Sequence, residues 1–194
     1  MKYDLTKPPT RGAQRTLDDF RRRMLRLLSE KAFEEISVNE ICEGAHYPRA
    51  TFYNYFDDKY DLLNYCWIWL ATQIRLEEYP KMDPSEMIYV FFDRAYDFTK
   101  KNETMIMQVL SRNVETGMMF GDFRNFMIRQ VQKIFGEVVK EDSPIPREII
   151  AEHLSNTLIL VWQWCNIGNK ECTKEQARVY LRLLLGNLKL QERR

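Results

Sequence analysis

Residues 47–56, YPRATFYNYF, bring an arginine, a threonine, an asparagine and three tyrosines into ten positions. At helical spacing these residues sort by face. Phe52 and Phe56, four apart, share one side and suit a hydrophobic plug; Arg49, Ala50, Thr51, Tyr53, Asn54 and Tyr55 occupy the rest of the circumference. A guanidinium fork matches guanine O6/N7 or a phosphate, alanine permits close approach, and threonine offers a hydroxyl and a methyl. Asparagine reaches a base or the backbone, and phenol hydroxyls meet phosphate oxygens. Hydrogen-bonded recognition of a nucleic-acid groove is the chemistry such a set performs. Lys59 adds a phosphate contact, and Ser37, Arg11 and Arg15 join the DNA-facing set. Spacing alone leaves a second reading open, in which every aromatic packs and Arg49 pairs with a neighbouring acid.

Other chemistries find little support. Cys42 and His46 are spaced i, i+4, which suits two metal ligands, but Cys42 falls on a core position and no further Cys or His lies nearby in sequence. Two histidines, no Gly-rich phosphate loop and no nucleophile motif argue against an enzyme. Neither metal nor cofactor is expected. The four cysteines (42, 66, 165, 172) show no CxxC spacing and read as reduced thiols. The opening MKYDLTKPPTRGAQRT lacks the apolar stretch of a secretory signal, and no window approaches 18 uninterrupted apolar residues. A cytoplasmic protein without membrane association is the expectation.

The elements that must hold YPRATFYNYF are helical. Glycine and proline number seven each in 194 residues, too few for a many-turned β architecture. Leu17, Phe20, Met24, Leu27 and Leu28 follow helical spacing, predicting a helix over 16–31 with Thr16 and Asp19 as a capping box. Ser37 with Glu40 opens a two-turn helix over 38–45, Pro48 suits the first turn of a third over 48–55, and Asp58 caps a long fourth over 58–78. Further helices are predicted at 85–101, 103–113, 122–140, 146–167 and 174–190. Two short helices joined by a turn and braced by another form a helix-turn-helix, whose second helix enters a major groove about 12 Å wide.

Charge is compatible with that plan. The net charge of +1 conceals eight Lys/Arg against three Asp in residues 1–26, a surplus of five, and three basic against seven acidic residues over 27–59. A nucleic-acid footprint is therefore a focused basic arm.

The stretch FEEISVNEICEGAHYPRATFYNYFDDKYDLL, residues 33–63, resembles the N-terminal signature of TetR-type transcriptional regulators at Phe33, Ser37, Val38, Ile41, Ala45, Thr51, Phe52, Tyr53, Tyr55, Phe56, Lys59, Leu62 and Leu63. His46-Tyr47-Pro48 stands where the family has Gly-Val-Ser, and Ala50 where glycine is commoner. WQWCNIGNKECTKEQ is similar to the C-terminal domain of a TetR-type subgroup that includes an activator of dihydroxyacetone kinase genes. The resemblance implies an all-α homodimer: a helix-turn-helix domain over 1–57, and a helical effector-binding and dimerisation domain over 58–194, about nine helices in all. It also implies a regulator on a palindromic operator, a repressor released by a small-molecule effector. A TetR-type activator and a helical protein-interaction module are the alternatives.

Two further sites are expected in the second domain. Soft and aromatic side chains, among them Trp67, Phe91, Tyr96, Met105, Met119, Phe123 and Met127, suit either ordinary core or a pocket for an apolar or aromatic effector. Leu154, Leu158, Val161 and Trp162 on one helix and Tyr180, Leu184 and Leu188 on the next give a hairpin with more apolar breadth than one buried face needs, a candidate dimer interface.

Overall fold

A computed structural model describes residue 3 and residues 8–135, 144–167 and 172–186. Among these residues the chain is all-α, without a strand: α1 (Arg11–Glu30), α2 (Val38–Ala45), α3 (Arg49–Tyr55), α4 (Lys59–Gln73), α5 (Pro84–Lys101), α6 (Glu103–Arg112), α7 (Met118–Phe135), α8 (Arg147–Asn166) and α9 (Lys174–Leu185), with 3-10 turns at Phe33–Glu35 and Leu76–Lys81. The chain divides into two compact units, Met1–Leu70 with Thr104–Asp122, and Ala71–Glu103 with Phe123–Arg194.

Three helix ends differ from the sequence reading by four residues or more, each for a physical reason. α1 starts at Arg11 because Thr10 caps it, accepting the Ala13 N–H; Thr16 is buried and donates its hydroxyl to the Gly12 carbonyl. α4 stops at Gln73 because Arg75 turns left-handed at φ 54°, and the Arg94 guanidinium takes up the Ile74 and Arg75 carbonyls at 3.3 Å each. α7 begins at Met118, four residues early, because the Glu34 carboxylate accepts the Met118 N–H at 2.8 Å. The expected extensions of α7 beyond residue 135 and of α9 beyond 186 lie outside the described residues.

In the first unit α1 packs on α2 and α2 on α3. Leu17, Phe20, Met24 and Leu28 of α1 are fully buried with Phe33, Ile41, Phe52 and Phe56. Each such side chain contributes about 1.5–3 kcal/mol on burial. In the second unit α5, α8 and α9 pack mutually around Phe92, Leu154, Ala177 and Leu181. Polar ties fix their register: Trp162 donates to the Thr99 hydroxyl at 2.8 Å, Tyr96 to the Cys172 carbonyl at 2.7 Å, and Arg178 to Asp93 through Nε at 3.0 Å. Cys165 and Cys172 form a disulfide with Cα atoms 4.8 Å apart, where four reduced thiols were expected; a spacing of seven carries no signature in sequence. Cys42 and Cys66 are free and buried, and burial pushes the Cys66 thiol up to about 12.

Candidate nucleic-acid interface

The reading segment is assembled by local rules. Ser37 and Glu40 complete the capping box: the Ser37 hydroxyl accepts the Glu40 N–H at 3.3 Å, and the Glu40 carboxylate accepts the Ser37 N–H at 3.0 Å. Glu40 also pairs with Lys31; that bond and the Ser37 N–H hold its carboxyl at about 2. α2 ends at His46, left-handed at φ 59°, in the position the family gives to glycine. Pro48 then precedes α3 as its N-cap at φ −60°, one residue ahead of its expected place, and its carbonyl accepts the Thr51 N–H at 2.9 Å.

α3 is two-faced. Phe52 and Phe56 are fully buried; Phe20 meets both edge-on, with ring centroids 5.4 and 6.0 Å apart. On the other side Arg49, Ala50 and Asn54 are exposed, and Thr51, Tyr53 and Tyr55 are half-buried. Arg49 donates to the Tyr53 hydroxyl at 3.2 Å, a tie that orients the guanidinium while using one of its five N–H donors. Tyr3 stacks on Tyr55 at 5.1 Å and bonds its carbonyl, so a residue of the N-terminal arm covers one face of that ring. Tyr47 donates to Asp19 at 3.0 Å; burial pushes the Asp19 carboxyl up, but the Arg22 and Tyr47 hydrogen bonds outweigh it and the net shift is downward.

Of the remaining DNA-facing candidates, Arg11 and Arg15 are exposed on α1, where with Pro9, Gln14, Asp18 and Arg22 they line a shallow depression. Ser37 is exposed with its hydroxyl engaged by Glu40. Lys59 departs from its expected role. Its Nζ donates to the carbonyls of Phe33, Glu34 and Ile36 at 3.0, 3.0 and 2.8 Å, which spends all three ammonium donors inside the protein and leaves none for a phosphate. Nothing local foretold this, since the three carbonyls lie 23 to 26 residues upstream.

The expected effector set separates. Phe91, Tyr96 and Met127 belong to the core of the second unit, with Phe123 packed against it; Trp67, Met105 and Met119 belong to the first unit, where Trp67 donates to Asp122 at 2.8 Å. Of the expected dimer set, Leu154, Leu158 and Val161 are buried in the second unit's own core, Trp162 is half-buried, Tyr180 and Leu184 are exposed, and Leu188 lies outside the described residues. Beside Tyr180 and Leu184, the exposed apolar side chains of these two helices are Ile149, Leu160 and Trp164 on α8 and Val179 and Leu183 on α9, with Leu183 76% exposed. Their helical phase, offset from Leu154, Leu158 and Val161, is the signal that would have found them. Among the described residues no group of three or more His, Cys, Asp or Glu is placed to hold a metal. None of the described helices is long and apolar enough to cross a membrane.

Two short helices in tight succession, braced by α1 and presenting a polar outer row on the second, define a helix-turn-helix protein. Residues 24–66 match the family model of the bacterial regulatory proteins of the tetR family, and the fold of the chain is TetR-like. A TetR-family regulator from Streptomyces coelicolor aligns at 13% identity and TM-score 0.68, over 93% of this chain and 98% of its own. NalD of Pseudomonas aeruginosa, the secondary repressor of the MexAB-OprM multidrug efflux pump, aligns at 14% identity and TM-score 0.57, over 91% and 97%. FadR of Bacillus halodurans, a fatty acid degradation regulator, aligns at 13% and 0.55, over 95% and 100%. At these identities the likeness is one of fold. No curated protein matches the chain.

Proposed function

We propose that the protein is a cytoplasmic, sequence-specific DNA-binding transcriptional regulator that acts as a homodimer on a palindromic operator. The observation that carries this reading is the two-faced α3: Phe52 and Phe56 lock the helix from behind, while Arg49, Ala50 and Asn54 are exposed on the other side with Thr51 half-buried among them. Residues 1–57 supply the reading head, with Arg11 and Arg15 on backbone phosphates. Residues 58–194 receive the effector and dimerise, through Leu160, Trp164, Val179, Tyr180, Leu183 and Leu184. A small apolar or aromatic effector settles in the second unit beside Phe91, Tyr96, Phe123 and Met127. By favouring a dimer whose recognition helices no longer match grooves spaced about 34–36 Å, it releases the operator and lifts repression.

A mobility shift on DNA upstream of the protein's own gene, run over a salt series, tests the DNA reading. Wild type binds with a steep salt dependence, and Arg49→Ala with Thr51→Ala weakens binding by about 1–3 kcal/mol per lost base contact. No shift at low salt, or the same shift in the double variant, would instead favour a protein-interaction module. For the effector, a panel of apolar and aromatic compounds should raise the melting temperature for at least one member and weaken its DNA complex; a flat panel removes the switch.

A further inference from the structure

Within the second unit the last turn of α8 and the entry of α9 are tied by a covalent bond that their packing does not need. Cys165 and Cys172 share the disulfide, yet the same stretch is anchored on α5 without it: Tyr96 donates to the Cys172 carbonyl, Lys174 pairs with Asp97 at 2.6 Å, and Arg178 pairs with Asp93. Thr173, next to Cys172, caps α9 through a reciprocal pair of hydrogen bonds with Gln176 at 3.3 and 2.9 Å. Leu154, Ala177 and Leu181 are fully buried between the helices and their neighbours. Opening the bond therefore leaves both helices in place and the two sulfurs opposed. As a staple the bond adds little, because a cross-link gains stability with the length of loop it closes, and this one spans a separation of seven residues. In a cytoplasm, where thiol pools keep cysteines reduced, a disulfide is characteristically transient and redox-sensing.

We infer that Cys165 and Cys172 form a reversible oxidation site, a dithiol that a hydroperoxide converts to the disulfide and small thiols restore, which locks and unlocks the junction of α8 with α9. The inference goes beyond the proposed function and takes from it only the cytoplasmic setting. The two sulfurs are not equivalent. Cys172 precedes the N-cap of α9, where unpaired helix N–H groups favour negative charge, whereas Cys165 lies in the last turn of α8, where carbonyls oppose it. Cys172 is also the less buried, 8% exposed against 2%. It is therefore the attacking thiolate. Its Sγ takes one oxygen of the peroxide: an S–O bond forms, the O–O bond breaks, and the leaving hydroxide is protonated to water. The Cys165 sulfur then attacks the Cys172 sulfenic acid, the S–S bond forms, the S–O bond breaks, and a second water leaves. The dithiol gives up two electrons and both thiol protons, which end on the two waters. Two small thiols reverse the change by exchange and leave as their own disulfide. Cys42 and Cys66 stand apart from this chemistry, in the other unit, where burial pushes both thiols up, Cys66 to about 12.

Stepwise oxidation of the full-length protein tests the site. Reduced protein, cleared of reductant, receives hydrogen peroxide, and its thiols and disulfides are mapped by alkylation and mass spectrometry. The 165–172 bond should form with about one peroxide per chain, leave Cys42 and Cys66 as thiols, and reopen in dithiothreitol without denaturant. Hydrogen exchange should be about tenfold slower in the oxidised form at Trp162–Asn166 and Thr173–Ala177. Cys165→Ser should stop at a Cys172 sulfenic acid that dimedone traps, while Cys172→Ser should leave Cys165 a thiol. A bond that opens only on denaturation, or equal exchange in the two forms, would overturn the inference and leave a structural staple; a sulfenic acid trapped at Cys165 would overturn the order of attack. In growing cells, quenched in acid and alkylated, the pair should be reduced and should oxidise on a peroxide pulse. A pair already oxidised in the cytoplasmic fraction would overturn the inference. A chain found outside that fraction would instead fail the proposed localisation, with the purified protein still deciding the chemistry.

Discussion

Glu40 closes the capping box of α2 and pairs with Lys31, and both partners act on its ionised form. Its carboxyl sits at about 2 in the folded chain against a usual 4.5. A depressed carboxylate contributes its full stability above the unfolded value and loses it as pH falls through the interval down to the folded one. The melting temperature should therefore drop between about pH 4.5 and 2, and Glu40→Gln should flatten that part of the profile while lowering stability at neutral pH. The capping box was legible in sequence because Ser37 and Glu40 are three residues apart; the pairing with Lys31, nine residues away across a turn, was not. Nor was Asn113 legible: it accepts the Phe33 N–H and donates to the Leu28 carbonyl, partners 80 and 85 residues away, and a single asparagine at a helix end looks like any other.

At the scale of the element, periodicity and capping signals located each helix among the described residues; a buried stripe such as Leu17, Phe20, Met24 and Leu28 repeats within one window. They failed at ends set by distant groups: the start of α7 belongs to Glu34, and the stop of α4 coincides with the grip of Arg94. Lys59 is the case with consequences for function. Burial lowers the pKa of its ammonium, and its three carbonyl acceptors make it a C-terminal clasp for the Phe33–Glu35 turn. Lys59→Met should cost about 1–3 kcal/mol of stability, read by denaturant melts, because it strands those carbonyls. The slope of log affinity against log salt should not change; a slope reduced by about one would return Lys59 to the phosphate contacts.

For the whole molecule, the face of α8 and α9 that carries Leu160, Trp164, Leu183 and Leu184 is the largest set of exposed apolar side chains on neighbouring helices among the described residues. Leu160→Glu with Leu183→Glu should give a monomer by light scattering, with its helix content retained and its operator affinity lost; an unchanged dimer would move the interface elsewhere. The composition of the first unit has a further consequence, felt during synthesis. Phe33 and Leu28 wait for an asparagine that leaves the ribosome 80 and 85 residues later. At roughly 5–20 residues per second that delay is about 4–17 s. Throughout it the Phe33 amide lacks its Asn113 acceptor, so a chain broken off before residue 113 carries α3 without the hydrogen bond that ties its entry turn. On the function proposed above, incomplete products would compete weakly for the operator.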